Sequence, residues 1–193
     1  MWLVITNNNM GLDMYLDKHT YVKNWKHTES KDRHSVLVKK GGKVLKDIKS
    51  NRVKNVVEEI AYWRKANAIH NYFVDVVRGG EYDNGDDMSV SEEDLKDLLD
   101  RCEKVLKASK LVRGKIQNGT SFKNGKSTPI MEDGKYIKDS TVAKELLPCV
   151  DGFFFGGTEY NEYYYTDIKN TRDMLVKELK NVGGGDYYYN ANW

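Results

Sequence analysis

Cysteine is scarce in this chain. Cys102 and Cys149 are the only two in 193 residues, far apart and in no CxxC or Cys/His ligand spacing, which excludes a disulfide framework and a thiolate metal site. They suit a reducing cytosol with both thiols buried. Proline is nearly absent at two residues, and no apolar run is long enough to span a bilayer. The opening residues, Met1 to Asn9, lack the basic start and small-residue cleavage site of a secretory signal. The four histidines, His19, His27, His34 and His70, form no HxxxH pair, and GxSxG is missing, which removes the usual signatures of zinc and serine hydrolases. Charge of one sign is lacking too: the net value of +2 speaks against a dedicated nucleic-acid binder. No cofactor and no metal are expected.

What is present suffices for one domain with an ordinary core. The expected organisation is a flexible leader over residues 1–9, a single α+β domain over 10–182, and a Gly/Tyr-rich tail over 183–193 that is mobile or docks on a neighbour. The charges are segregated. Met10 to Lys54 carries twelve Lys/Arg against five Asp/Glu, whereas Glu81 to Asp100 carries nine acids against one lysine. Two solvated faces explain such blocks, as does mutual pairing across a homo-oligomer interface.

Alternation of Leu12, Met14 and Leu16 with Asp13, Tyr15 and Asp17 predicts a half-buried strand reaching Val22. A second strand is expected over His34–Lys40, turning at Gly41-Gly42 onto Val44–Ile48. From Ser50 to Val77 the apolar spacing (Val53, Val56, Val57, Ile60, Ala61, Ala68, Phe73, Val74, Val77) reads as a central helix, capped by Ser50 and stopped by Gly79-Gly80. Ser91 with Asp94, preceded by Val90 and followed by Leu95, is a capping box with a hydrophobic staple. The helix it opens repeats Leu95, Leu98, Leu99, Cys102, Val105 and Leu106 on one face, making Cys102 core rather than nucleophile. Asn118-Gly119, Asn124-Gly125 and Asp133-Gly134 punctuate a small meander or hairpin. Ser140 caps a short helix ended by Pro148, Gly152–Gly157 reads as a short buried strand, and a last helix from Asn161 to Lys180 turns Tyr164, Ile168, Leu175 and Leu179 inward. The sum is an α+β domain with three main helices on a small, largely antiparallel sheet.

The polar patch Tyr62, Trp63, Arg64, Asn67, His70 and Asn71 interrupts that central helix. Two stripes at helical spacing, Trp63–Asn67–His70 and Arg64–Asn67–Asn71, share Asn67. An aromatic plane, a forked cation, carboxamides and an imidazole can stack a planar ring and hold a phosphate or carboxylate. A closed polar network, with Arg64 on Asp13 or Asp17 and His70 on a carbonyl, uses the same groups. Tyr15 and Tyr164 complete the candidate set. Phe153 to Phe155 and Tyr160 to Tyr165 are core and contact aromatics. Gly125-Lys126-Ser127 mimics the end of a P-loop with its first glycine misplaced at Gly119, and Asp83, Asp86 and Asp87 lack EF-hand spacing.

The stretches Met10–Leu16 (MGLDMYL), Tyr21–Trp25 (YVKNW), Ala61–His70 (AYWRKANAIH), Gly152–Gly156 (GFFFG) and Glu162–Tyr165 (EYYY) resemble a family of small uncharacterised proteins of tailed bacteriophages and prophages. The resemblance covers about Met10 to Lys180. It implies a cytoplasmic accessory protein made during infection, with countering host defence as a common role. On these grounds the expected function is sequestration of a small anionic, nucleotide-like molecule without turnover. The alternative is a protein inhibitor that meets a basic host defence protein through the acidic 81–100 block. A nucleotide-processing enzyme using His70 comes third.

Overall fold

The computed structural model describes residues 11–81, 85–123, 126–152, 155–180 and 183–193. The expected leader and the calls on Asp83, the Asn124-Gly125 turn, Phe153 and Phe154 fall outside these. The protein has an α+β fold.

Strand β1 (Asp13–Tyr21) follows its predicted alternation, with Leu12, Met14, Leu16 and Lys18 on the buried side. Its partner on one side is β4 (Asn55–Arg64), antiparallel, with Tyr15 opposite Tyr62 and a register shift after Leu16. This corrects the central helix expected from Ser50. The apolar spacing fits both periods, but Val56, Val57 and Ile60 are β-branched and β1 offers them a ladder, so tertiary pairing decides. Ser50 caps no such helix; its Oγ accepts a hydrogen bond from Val36 N at 3.1 Å. The helical part is confined to α1 (Asn67–Asn71), which continues as one wide π turn over Tyr72–Val77 and stops at Gly79-Gly80, both at positive φ.

Between β1 and β4 the predicted second strand shrinks to a two-residue hairpin, β2 (Lys39–Lys40) and β3 (Lys43–Val44), around Gly41-Gly42. Leu37 at 62 % exposure shows why: nothing covers this excursion, so a longer strand has no face to bury.

The other side of β1 pairs with β8 (Asp186–Asn192), which in turn pairs with β5 (Met88–Val90), giving the sheet order β4-β1-β8-β5 with every pairing antiparallel. The tail is therefore neither mobile nor docked on a neighbour: it is an interior strand. Tyr187, Tyr189 and Ala191 alternate inward and are at most 3 % exposed.

Helix α2 (Glu92–Ala108) begins with the predicted capping box, Ser91 Oγ accepting from Asp94 N and Asp94 accepting from Ser91 N. Its face Leu95, Leu98, Cys102 and Val105 packs with Ile168 and Leu175 of α4 (Glu162–Glu178) over one side of the sheet. A short α3 (Thr141–Leu146) lies against α2. The region after Lys110 is one long hairpin, β6 (Leu111–Lys123) and β7 (Lys126–Ile137), instead of several short pieces. Asn118-Gly119 marks its register shift. Asp133-Gly134 is no turn: a Cβ on Gly134 would lie 2.4 Å from the Ile116 side chain, so the glycine makes room inside the ladder. The described part of Gly152–Gly157 is loop, not the buried strand expected, because no neighbouring strand edge receives it.

Candidate functional site

The chain turns sharply where β4 ends. Arg64 closes the strand, Lys65 adopts φ 61°, and Asn67 opens α1. A non-glycine residue held there costs about 1–3 kcal/mol, so its surroundings must fix it. They do so from two sides. Lys65 N donates to Leu12 O at 2.7 Å, and Gly156, at φ 93°, comes so close that a Cβ would sit 3.1 Å from Lys65 O. Asn67 Nδ2 then donates to Phe155 O (3.2 Å) and Gly157 O (2.8 Å), fastening the 155–157 loop to the corner. Its Oδ1 is buried with no hydrogen-bond partner among the described residues. An orphaned buried acceptor forfeits about 1–3 kcal/mol, which a ligand donor can recover.

Beside this corner lies a cavity of about 670 Å³. The corner contributes Arg64, Lys65 and Asn67, the β6 bulge Gln117 to Gly119, the loop Asp151 and Gly156 to Glu159, and the start of α4 Asn161, Tyr163, Tyr164 and Asp167. The walls are braced. Asn161 Oδ1 caps α4 by accepting from Tyr163 N and Tyr164 N, and Glu159 Oε2 accepts from Gln117 N at 2.9 Å. Tyr163 OH donates to Glu132, and Tyr164 OH donates to Leu147 O, each at 2.9 Å. Asp167 is different. It is half-buried, burial pushes its carboxyl up to about 6, and it enters no ion pair among the described residues. The cavity thus combines exposed cations at Arg64 and Lys65 with an uncommitted amide oxygen and a carboxyl poised near neutrality. Cys149 also lines it, but burial pushes its thiol up to about 12, so thiolate chemistry at neutral pH is disfavoured.

Seven of the eight predicted site residues divide into three groups, and Asn71 stands apart. Arg64, Asn67 and Tyr164 line the cavity. Trp63 and His70 lie in a closed interior network. Trp63 Nε1 donates to Thr171 Oγ1 at 2.8 Å, and His70 Nδ1 shares a 2.7 Å hydrogen bond with the Tyr189 hydroxyl, its ring edge-on to Phe155 and Trp193. Burial lowers the imidazole to about 4, keeping it neutral. Tyr15 and Tyr62 meet on the open face of the sheet with ring centroids 5.2 Å apart, Tyr62 OH donating to Asp13, which also receives Arg64 Nη1 at 3.4 Å. Asn71 donates to Pro148 O. The helical stripes dissolve because residues 63 and 64 of a strand point to opposite sides. The sequence reading missed Asp167 and Lys65. Asp167 stands three residues after Tyr164 on the inward stripe of α4, and a carboxylate on an apolar face was the available signal; Lys65 gave none.

Among the described residues no three of His, Cys, Asp and Glu converge as a metal site, and no helix is long and apolar enough to cross a membrane. No protein-family model, curated protein or solved structure matches the chain.

Proposed function

We propose that the protein binds a small anionic, nucleotide-like molecule in the cavity at the β4–α1 corner and holds it without turnover. The observation that carries this reading is the buried, unpartnered Oδ1 of Asn67 beside a cavity of about 670 Å³, within the roughly 300–1,000 Å³ typical of small-molecule sites. Arg64 and Lys65 would meet the anionic group, while Asn67 Oδ1 and Asp167 would receive N–H or O–H donors such as an exocyclic amine or ribose hydroxyls. His70 belongs to the interior network in this reading and does not line the cavity. In a phage-infected cell, removal of a nucleotide signal is the use such a site would serve.

The acidic-block alternative has less behind it. Three of its nine acids, Glu92, Asp97 and Asp100, pair at i,i+4 with Lys96, Arg101 and Lys104 of the same helix, which lowers the charge the block presents.

Thermal-shift titration with AMP, cyclic AMP and inorganic phosphate tests the proposal. Ligand at 100-fold above its Kd adds about 2.7 kcal/mol of stability, an easily read rise in Tm. Arg64→Ala should abolish that rise while leaving the ligand-free Tm nearly unchanged, since Arg64 is exposed. No stabilisation by any of the three at millimolar concentration would overturn the reading.

A further inference from the structure

The excursion between β1 and β4, Lys23 to Lys54, holds eleven Lys/Arg against three Asp/Glu. The rest of the chain is net acidic, so the overall +2 conceals this concentration. Within the excursion, one ion pair occurs among the described residues, Lys31 with Glu29 at 3.0 Å. No residue from Lys23 to Lys54 is buried; Val22, at its root, is the last core side chain.

A segment so charged and so bare of core would not hold a shape by burial, yet it is held. Asn24 Nδ2 donates to His34 O at 2.8 Å and Asn24 Oδ1 accepts from His34 N at 2.9 Å. Ser50 Oγ accepts from Val36 N, Arg52 Nη2 donates to Asp47 O at 3.1 Å, and Val22 N donates to Lys54 O at 2.9 Å. Small polar groups brace the backbone and leave the ammonium groups outside. At the tip, Lys40 stands directly opposite Lys43 across the hairpin. Like charges so placed destabilise a strand pair, and no acid among the described residues pairs with either. Near the root Trp25 is 52 % exposed, with Lys23 Nζ 4.6 Å from its ring centroid.

We propose that this arm, Lys23 to Lys54, binds single-stranded nucleic acid, its lysines along the phosphates and Trp25 stacking on a base. A braced row of cations with an exposed aromatic is the combination that single-strand binding uses. A second copy of the chain is a poorer occupant, because three acids of α2, Glu92, Asp97 and Asp100, already pair with Lys96, Arg101 and Lys104 of the same helix.

Fluorescence anisotropy of the full chain with a labelled mixed-sequence strand of roughly 16 nucleotides decides the matter. The comparison probes are its duplex form and poly-glutamate, at about 50 and 200 mM salt. The strand should bind at low salt and weaken at least about tenfold at high salt. K39E/K40E/K43E should weaken it about tenfold or more, Trp25→Ala should cost roughly 5- to 100-fold, and Arg64→Ala should change nothing. Unchanged circular dichroism of the variants confirms that folding is intact, since every substituted arm residue is exposed. No binding at 50 mM salt, equal binding of poly-glutamate, a duplex preference indifferent to Trp25→Ala, or loss of self-association as the only effect of the triple reversal would each overturn the proposal.

Discussion

Burial moves two side chains in opposite senses: it lifts the Asp167 carboxyl from 3.8 to about 6 and lowers the His70 imidazole from 6.5 to about 4. The native state therefore binds the Asp167 proton more tightly than the unfolded chain, so that group's contribution falls as pH rises from about 4 to 6. His70 acts the other way: the native state keeps it neutral, and stability rises with pH from about 4 to 6.5. Each shift corresponds to at most about 3 kcal/mol, less for the half-buried aspartate. The wild-type Tm should accordingly be nearly flat between pH 4 and 6. Asp167→Asn removes one slope, so its Tm should climb through that range and exceed wild type by about 1–3 kcal/mol of stability at pH 7.5. A parallel pair of Tm profiles would refute the assignment. Lys65 offers a second test. Lys65→Gly relieves the positive φ and should be neutral or stabilising by up to about 1 kcal/mol, while nucleotide affinity drops with the lost ammonium. A coupled loss of stability and binding would mean that Lys65 is only structural.

At the scale of elements, α2 stands on its capping box. Ser91→Ala frees the Asp94 N–H and should reduce urea-unfolding stability by about 1 kcal/mol without changing the m-value; an effect under about 0.3 kcal/mol would show that the cap is dispensable. This element was fully legible because its signals are local: a cap three residues from its partner, a staple, and one apolar stripe. Helix α4 was legible for the same reason. By contrast, β4 was not, because Val53, Val56, Val57, Ile60 and Ala61 satisfy helical spacing as well as a strand, and only pairing with β1, about forty residues away, settles it. The candidate site inherited the error. Arg64 and Asn67 were found, but Trp63 and His70 were grouped with them through a helical geometry that residues 55–64 do not have. The cavity walls supplied by the β6 bulge and the α4 start are brought together only by the tertiary fold.

For the whole molecule, the last strand matters most, and its sequence conceals this. Asp186–Asn192 follows a glycine run and looks like a terminal tail, yet β8 sits between β1 and β5 and joins the two ends of the chain. It puts Tyr187, Tyr189 and Ala191 into the core, stacks Tyr189 on Phe73 with centroids 4.2 Å apart, and completes the hydrogen-bonded trio of buried Lys18, half-buried Glu178 and buried Tyr187. Removing it would leave β5 without a partner, open one edge of β1, and strip Lys18 and Glu178 of their Tyr187 cover. Such a deletion combines several mechanisms that each exceed typical point-mutant effects, against a total stability of about 5–15 kcal/mol. A chain ending at Gly185 should therefore show no cooperative thermal transition and no dispersed amide spectrum. Single substitutions on the same strand separate its two faces. Tyr189→Ala empties a fully buried site and should cost about 3–5 kcal/mol, whereas Tyr188→Ser, on the open face beside His19, should stay within about 1 kcal/mol. If the truncated chain still melts cooperatively near the wild-type Tm, β8 is an appendage to a domain complete without it, and the sheet's stability resides in β4 and β1 alone.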